Sequence, residues 1–198
     1  TVPRQIKRHL EEIDMGNCEW TYPVTKEEDG LDILSGLYLR HYPTANNNNR
    51  VACAVSHMRL WHKCSIGKKP IIILEHDAIF TRKFVFEPLE EEFKGGILGL
   101  NDPRGATRRS NVFHNVASSK MGLQPVPTVD DMEVPQGLAG NSAYLITPTA
   151  AKKLLDKVRE VGMWANDALM CKQFFPWMQV VYPYYTTIQR GLKSTTTS

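Results

Sequence analysis

Two carboxylates spaced Glu-x-Asp, Glu75 and Asp77, stand directly behind the apolar run at 71–74. In an extended chain alternate side chains share a side, which puts these two carboxylates together and turns His76 the other way. Paired oxygen ligands of this kind suit Mg²⁺ or Mn²⁺, bound through one or two carboxylates with phosphate and water completing the shell. An imidazole from His76 reaching such an ion would favour Mn²⁺. The plainer reading of the same residues is a strand that ends in a polar turn. A second group of candidates lies upstream, where Ser56 and His57 sit on an otherwise apolar stretch. A histidine on an apolar stripe is commonly a satisfied core residue, and that is the plainer reading of His57. Arg104, Arg108 and Arg109 fall in a long polar stretch that could cover a phosphate or an acceptor, or be a solvated basic loop. Asp167 opens an apolar helical segment and could simply cap it.

The elements that must position these residues follow from the hydrophobic pattern. A short unbroken apolar run bounded by Gly67 and Pro70 predicts a strand buried on both faces, as in the centre of a parallel sheet. The acids then lie at its carboxyl end, where open α/β sheets bind ligands. Residues 50–66 predict a buried helix, with Val51, Val55, Met58 and Trp61 on one stripe and Cys53, His57, Leu60 and Cys64 on another. Earlier in the chain, 3–13 reads as an amphipathic helix and 19–24 as a short strand. Thr25 and Glu28 make a capping box, and the Asn-rich 41–49 a loop. Later, 87–93 predicts a short acidic helix and 97–100 a strand. Residues 102–135 predict a long flexible loop, 137–146 a strand, and 168–175 a helix. Thr147 and Pro148 open a helix to about residue 161.

At 198 residues the chain predicts one domain with a sizeable core, and 42% hydrophobic with 23% charged residues is a globular balance. A net charge of +3 and a pI near 8.6 suit an anionic small ligand but are too weakly basic to argue for nucleic acid. No apolar run is long enough to span a membrane, and no secretory signal is visible, so a cytoplasmic protein is expected. Cys18, Cys53, Cys64 and Cys171 show no zinc-type spacing and read as buried free thiols, consistent with a reducing compartment.

The segment ACAVSHMRLWHKC, followed by IIILEHDAIF and Phe84, resembles glycosyltransferase family 25, which includes lipopolysaccharide-modifying enzymes and collagen galactosyltransferases. The matching positions are Cys53, Ser56, His57, Leu60 and Trp61, then Ile73, Leu74, Glu75, Asp77, Ala78 and Phe84. Further likeness lies in the small-residue turn holding Asn141, in Tyr144, Leu145 and Ile146, and in Ala151, Leu154 and Leu155. Gln189 and Ser194 echo a Gln and a Ser in the family's closing segment. The chain departs where His76 replaces a middle acid, and where Asn49 and Arg50 replace a Gly-Glu pair. A first strand and an Arg-rich turn are expected before residue 1, with Arg4 or Arg8 the remnant of that turn.

The resemblance implies a GT-A type nucleotide-diphosphosugar fold, Rossmann-like, with a mostly parallel central sheet flanked by helices. It implies transfer of a hexose, galactose or glucose, from a uridine-diphosphate sugar, with inversion. Mn²⁺ or Mg²⁺ would sit on Glu75 and Asp77. Ser56, His57, His76, Asn141, Gln189 and Ser194 would bind the donor or support the site, and Asp167 would be the base, with Asp130 and Asp131 weaker choices. The acceptor would be a glycan, a lipid-linked saccharide or a hydroxylated protein. A catalytically weak nucleotide- or glycan-binding module on the same fold is the alternative. A two-metal phosphodiesterase fits less well, because nothing supplies the rest of its ligand cluster.

Overall fold

The computed structural model of the chain describes residues 10–12, 47–106 and 109–189. The readings placed on Arg4, Arg8, Cys18, the 19–24 strand, the Thr25 capping box, Arg108 and Ser194 lie outside the described residues.

Helix α1 (Asn47–Ser65) begins inside the Asn run that composition assigns to a loop. Strands β1 (Ile71–Leu74) and β2 (Ala78–Phe80) follow, then a single 3₁₀ turn at Glu87–Leu89 where 87–93 predicts a helix, and β3 (Ile97–Gly99). Next come α2 (Ser110–Ala117), β4 (Gly122–Pro125), β5 (Ala143–Ile146), α3 (Pro148–Val161), α4 (Asn166–Leu169), β6 (Gln179–Tyr182) and β7 (Thr186–Ile188). Two elements, α2 and β4, therefore lie within the 102–135 stretch that reads as a loop. The 168–175 helix is replaced by the one-turn α4 and a series of turns.

The five-stranded sheet runs β1-β5-β3-β6-β4, and a separate two-stranded sheet pairs β2 with β7. Here the expected Rossmann-like, mostly parallel sheet is corrected. The β1–β5, β5–β3 and β6–β4 pairs are antiparallel, and β3–β6 alone is parallel. Among the described residues β1 is an edge strand paired only with β5, rather than a central strand.

What the apolar run does report is burial on both faces. Ile71 and Ile73 pack with the core that holds Val51, Val55 and Trp61 of α1 and Leu154 of α3. Ile72 and Leu74 pack with the opposite core around Leu98, Leu145 and Val181. β5 divides the same way, Tyr144 and Ile146 to the first core and Ala143 and Leu145 to the second. A period of two with apolar residues at every position means cover on both sides, and this is independent of strand direction. Helices α1 and α3 pack against one another on the first face. The start of α3 is as the sequence predicts: the Thr147 side chain accepts from the Ala150 N–H at 3.2 Å, with proline in the first turn.

Candidate functional site

The Glu75 N–H donates to the Ser142 carbonyl at 2.8 Å, one step beyond the β1–β5 register. The Ala78 N–H then closes a turn on the Glu75 carbonyl at 3.1 Å, with His76 and Asp77 as its central residues. Strand alternation therefore does not govern this tripeptide, and a turn aims the two acids. The Asp77 carbonyl accepts from the Gln189 N–H at 2.8 Å, which brings the end of β7 to the site. His76 is exposed, facing neither sheet nor core.

Burial raises the Asp77 carboxyl above its ordinary value, and the neighbouring Glu75 charge raises it further, against the lowering influence of His76 and the Ser142 hydroxyl. Asp77 Oδ1 is buried without a hydrogen-bond partner, and so are both polar atoms of the Asn141 side chain. Asn141 is 8% exposed. Among the described residues only Trp164 Nε1 shares this condition. Orphaned buried polar atoms are uncommon and costly. Three of the four lie where the β1–β5 pairing runs out beside Glu75.

Helix α1 delivers a second set of side chains. His57, 4% exposed, places Nε2 at 3.1 Å from Glu75 Oε1 and Nδ1 at 2.7 Å from the Tyr144 hydroxyl, and Trp61 Nε1 donates to that hydroxyl at 2.8 Å. Cys53, one turn before His57, makes a long 3.8 Å contact to Asn166 Oδ1. Its thiol is pushed up to about 12 by burial and by the charges of Glu75 and Asp167, with Arg50 opposing. The ligand atoms of Cys53, His57 and Glu75 lie within 4.8 Å of one another, a grouping of types that can hold a cation. The Ser56 hydroxyl donates to the Ala52 carbonyl at 2.8 Å, so this contact ties it to its own helix.

Asp167 belongs to the same neighbourhood, since its charge acts on Cys53 and it is acted on by Arg50 and Glu75. The residue at the helix cap is Ala165, and Asp167 Oδ1 instead accepts from the Ala168 N–H at 3.0 Å within the first turn. Burial raises its carboxyl, and this outweighs the lowering by Arg50 and the backbone. Gly137 seats α4, because a Cβ there would stand 2.5 Å from the Asp167 carbonyl oxygen and 2.8 Å from that of Met170.

Arg104 and Arg109 pair with acids of the same loop. Arg104 forms a two-pronged pair with Asp102, Nη2 to Oδ2 at 2.6 Å and Nε to Oδ1 at 3.0 Å. Burial pulls the Asp102 carboxyl up, but the Arg104 hydrogen bonds and charge more than offset this and hold it low. Arg109 donates to the Val129 carbonyl at 2.7 Å and pairs with Asp130 at 3.1 Å. Both are structural ties within 102–135.

The structure thus gathers Glu75, Asp77, His57 and Asp167, with the Gln189 backbone and the orphaned Asn141 beside them. Cys53, Arg50, Trp61, Tyr144 and Ser142 join them without having been singled out as site residues from sequence. Among the described residues no helix is long and apolar enough to cross a membrane. Residues 38–170 match the family model described as glycosyltransferase family 25 (LPS biosynthesis protein), a span that encloses all these residues but Gln189. No curated protein matches the chain.

Proposed function

The chain belongs to glycosyltransferase family 25, and from that premise we propose that it transfers a hexose from a nucleoside diphosphate sugar to an acceptor hydroxyl with inversion, with help from a divalent cation. The observation that carries this reading is the orphaned set Asp77 Oδ1 and the Asn141 amide, buried beside Glu75 at the end of β1. Hard oxygen donors in this number fit Mn²⁺ or Mg²⁺. Glu75 and Asp77 would hold the cation, whose Lewis acidity would offset the charge growing on the departing diphosphate. Asn141, with both a donor and an acceptor to satisfy, suits a sugar hydroxyl, which offers both.

Asp167 takes the acceptor's proton in this scheme. Its Oδ1 contact with the Ala168 N–H orients the carboxylate. Its raised proton affinity makes it a better base than an ordinary carboxylate. Galactose or glucose on uridine diphosphate is the proposed donor, resting on family likeness alone. A glycan, a lipid-linked saccharide or a hydroxylated protein is the proposed acceptor class.

The test is release of nucleoside diphosphate from a panel of nucleotide sugars with Mn²⁺, with and without acceptors, alongside calorimetric titration of the free diphosphates. The expected result is Mn²⁺-dependent release and tightest binding of the uridine nucleotide, both abolished in Asp77→Asn while the protein stays folded. Full metal-dependent activity in Asp77→Asn would contradict the ligand assignment. Tighter guanosine or cytidine binding would contradict the donor.

A further inference from the structure

Helix α1 presents His57 and, one turn on, Trp61 to a single residue of β5, Tyr144, and all three side chains are buried. An indole N–H can only donate, so the 2.8 Å contact has Trp61 donating to the Tyr144 oxygen. That hydroxyl keeps one hydrogen of its own. The other polar atom bonded to it is His57 Nδ1, at 2.7 Å. Leaving a buried hydroxyl hydrogen without an acceptor is costly, so Tyr144 donates and Nδ1 receives. A hydrogen on Nδ1, in the other tautomer or in the imidazolium, would strand the hydroxyl hydrogen. The imidazole therefore carries its hydrogen on Nε2, which faces Glu75 Oε1 at 3.1 Å.

We propose that Trp61 and Tyr144 are positioning residues for Glu75, fixing His57 in the Nε2–H tautomer so that it anchors one carboxylate oxygen and leaves the other for the ligand. This rests on the reading of Glu75 as a ligand of the donor complex and adds the device that aims it. It also decides what the Cys53, His57 and Glu75 grouping is. A nitrogen that bears a hydrogen has no lone pair to give a cation, so His57 and Glu75 form a hydrogen-bonded anchor rather than part of a metal centre, and the Cys53 thiol turns instead to Asn166 Oδ1.

Long-range ¹⁵N–¹H correlation spectra of the labelled full chain, without added metal, report which nitrogen of His57 bears the hydrogen, the resonance being assigned by its loss in His57→Gln. The expected result is Nε2–H in the native protein and loss of that preference in Tyr144→Phe. Mn²⁺ affinity should fall about ten- to a hundredfold in His57→Leu, the usual range for losing a partner bonded directly to a ligand, and by a smaller factor in Tyr144→Phe, which lies two hydrogen bonds from Glu75. His57→Gln, whose amide can still donate to Glu75, should hold Mn²⁺ better than His57→Leu. An Nδ1–H imidazole in the native protein, an unchanged tautomer in Tyr144→Phe, or equal Mn²⁺ affinity in the two His57 variants overturns the proposal. Should Tyr144→Phe fail to fold, the native tautomer and the His57 pair decide. A native protein with the expected tautomer that binds no Mn²⁺ would instead overturn the assignment of Glu75 and Asp77 as cation ligands.

Discussion

Asp167 shows how a residue's type can be legible while its state is not. As a helix cap it would accept backbone N–H bonds and be a weaker base, but Ala165 holds the cap position and burial raises the Asp167 carboxyl. The folded protein then binds a proton on Asp167 at pH values where the unfolded chain has already released it. Stability from this group is lost as pH climbs from the ordinary value of 3.8 toward the raised folded value, and it stays lost above that. Asp167→Asn should accordingly melt higher than the native protein at neutral pH, with the gain shrinking as pH falls through the raised folded value toward 3.8. Its turnover should drop about a hundred- to ten-thousandfold with donor affinity nearly unchanged. Thermal melts across pH with steady-state kinetics check both, and a lower melting point at pH 7 with full turnover would make Asp167 structural. Glu75, Asp77, His57 and Asp167 were legible because their types carry chemistry. The parts played by Tyr144 and Cys53 were not, since they depend on contacts 87 and 113 residues away along the chain.

Among the elements, α3 was read with its cap and its first-turn proline because both signals are local. Thr147 does more than cap, for its hydroxyl also donates to the Gly95 carbonyl at 2.8 Å. Thr147→Ala should destabilise the protein by about 1 kcal/mol, and up to about 2 if the second bond is fully lost. Denaturant melts check this, with the midpoint lowered and the slope unchanged. An unaltered midpoint would show that the cap contributes nothing. Helix α2 was missed because eight residues are too few for a period to stand out, though Phe113 and Ala117, four apart, are its buried stripe. The direction of β1 was missed for a different reason: an apolar run reports how many faces are covered and is silent on which way the neighbour runs.

At the scale of the whole molecule the two acids answer to different sheets. Glu75 is tied by its N–H to Ser142 beside β5, whereas Asp77 is tied by its carbonyl to Gln189 beyond β7. The sheets are joined through Leu100, whose carbonyl accepts from Tyr185 at 3.0 Å and Thr186 at 3.1 Å, and through Asp102, whose N–H reaches the Thr186 carbonyl at 2.8 Å. Proteins open piecewise, and a small two-stranded unit opens at lower free energy than a sheet covered on both faces. A ligand that binds both acids would act as a clasp across that seam and suppress the opening by mass action. Hydrogen–deuterium exchange reads this directly. With Mn²⁺ and a nucleoside diphosphate, the amides of Ala78 and Gln189 should exchange more slowly while those of Tyr144 and Leu145 hold their rate. Equal slowing in both sheets would instead mean that the ligand stiffens the molecule as one body.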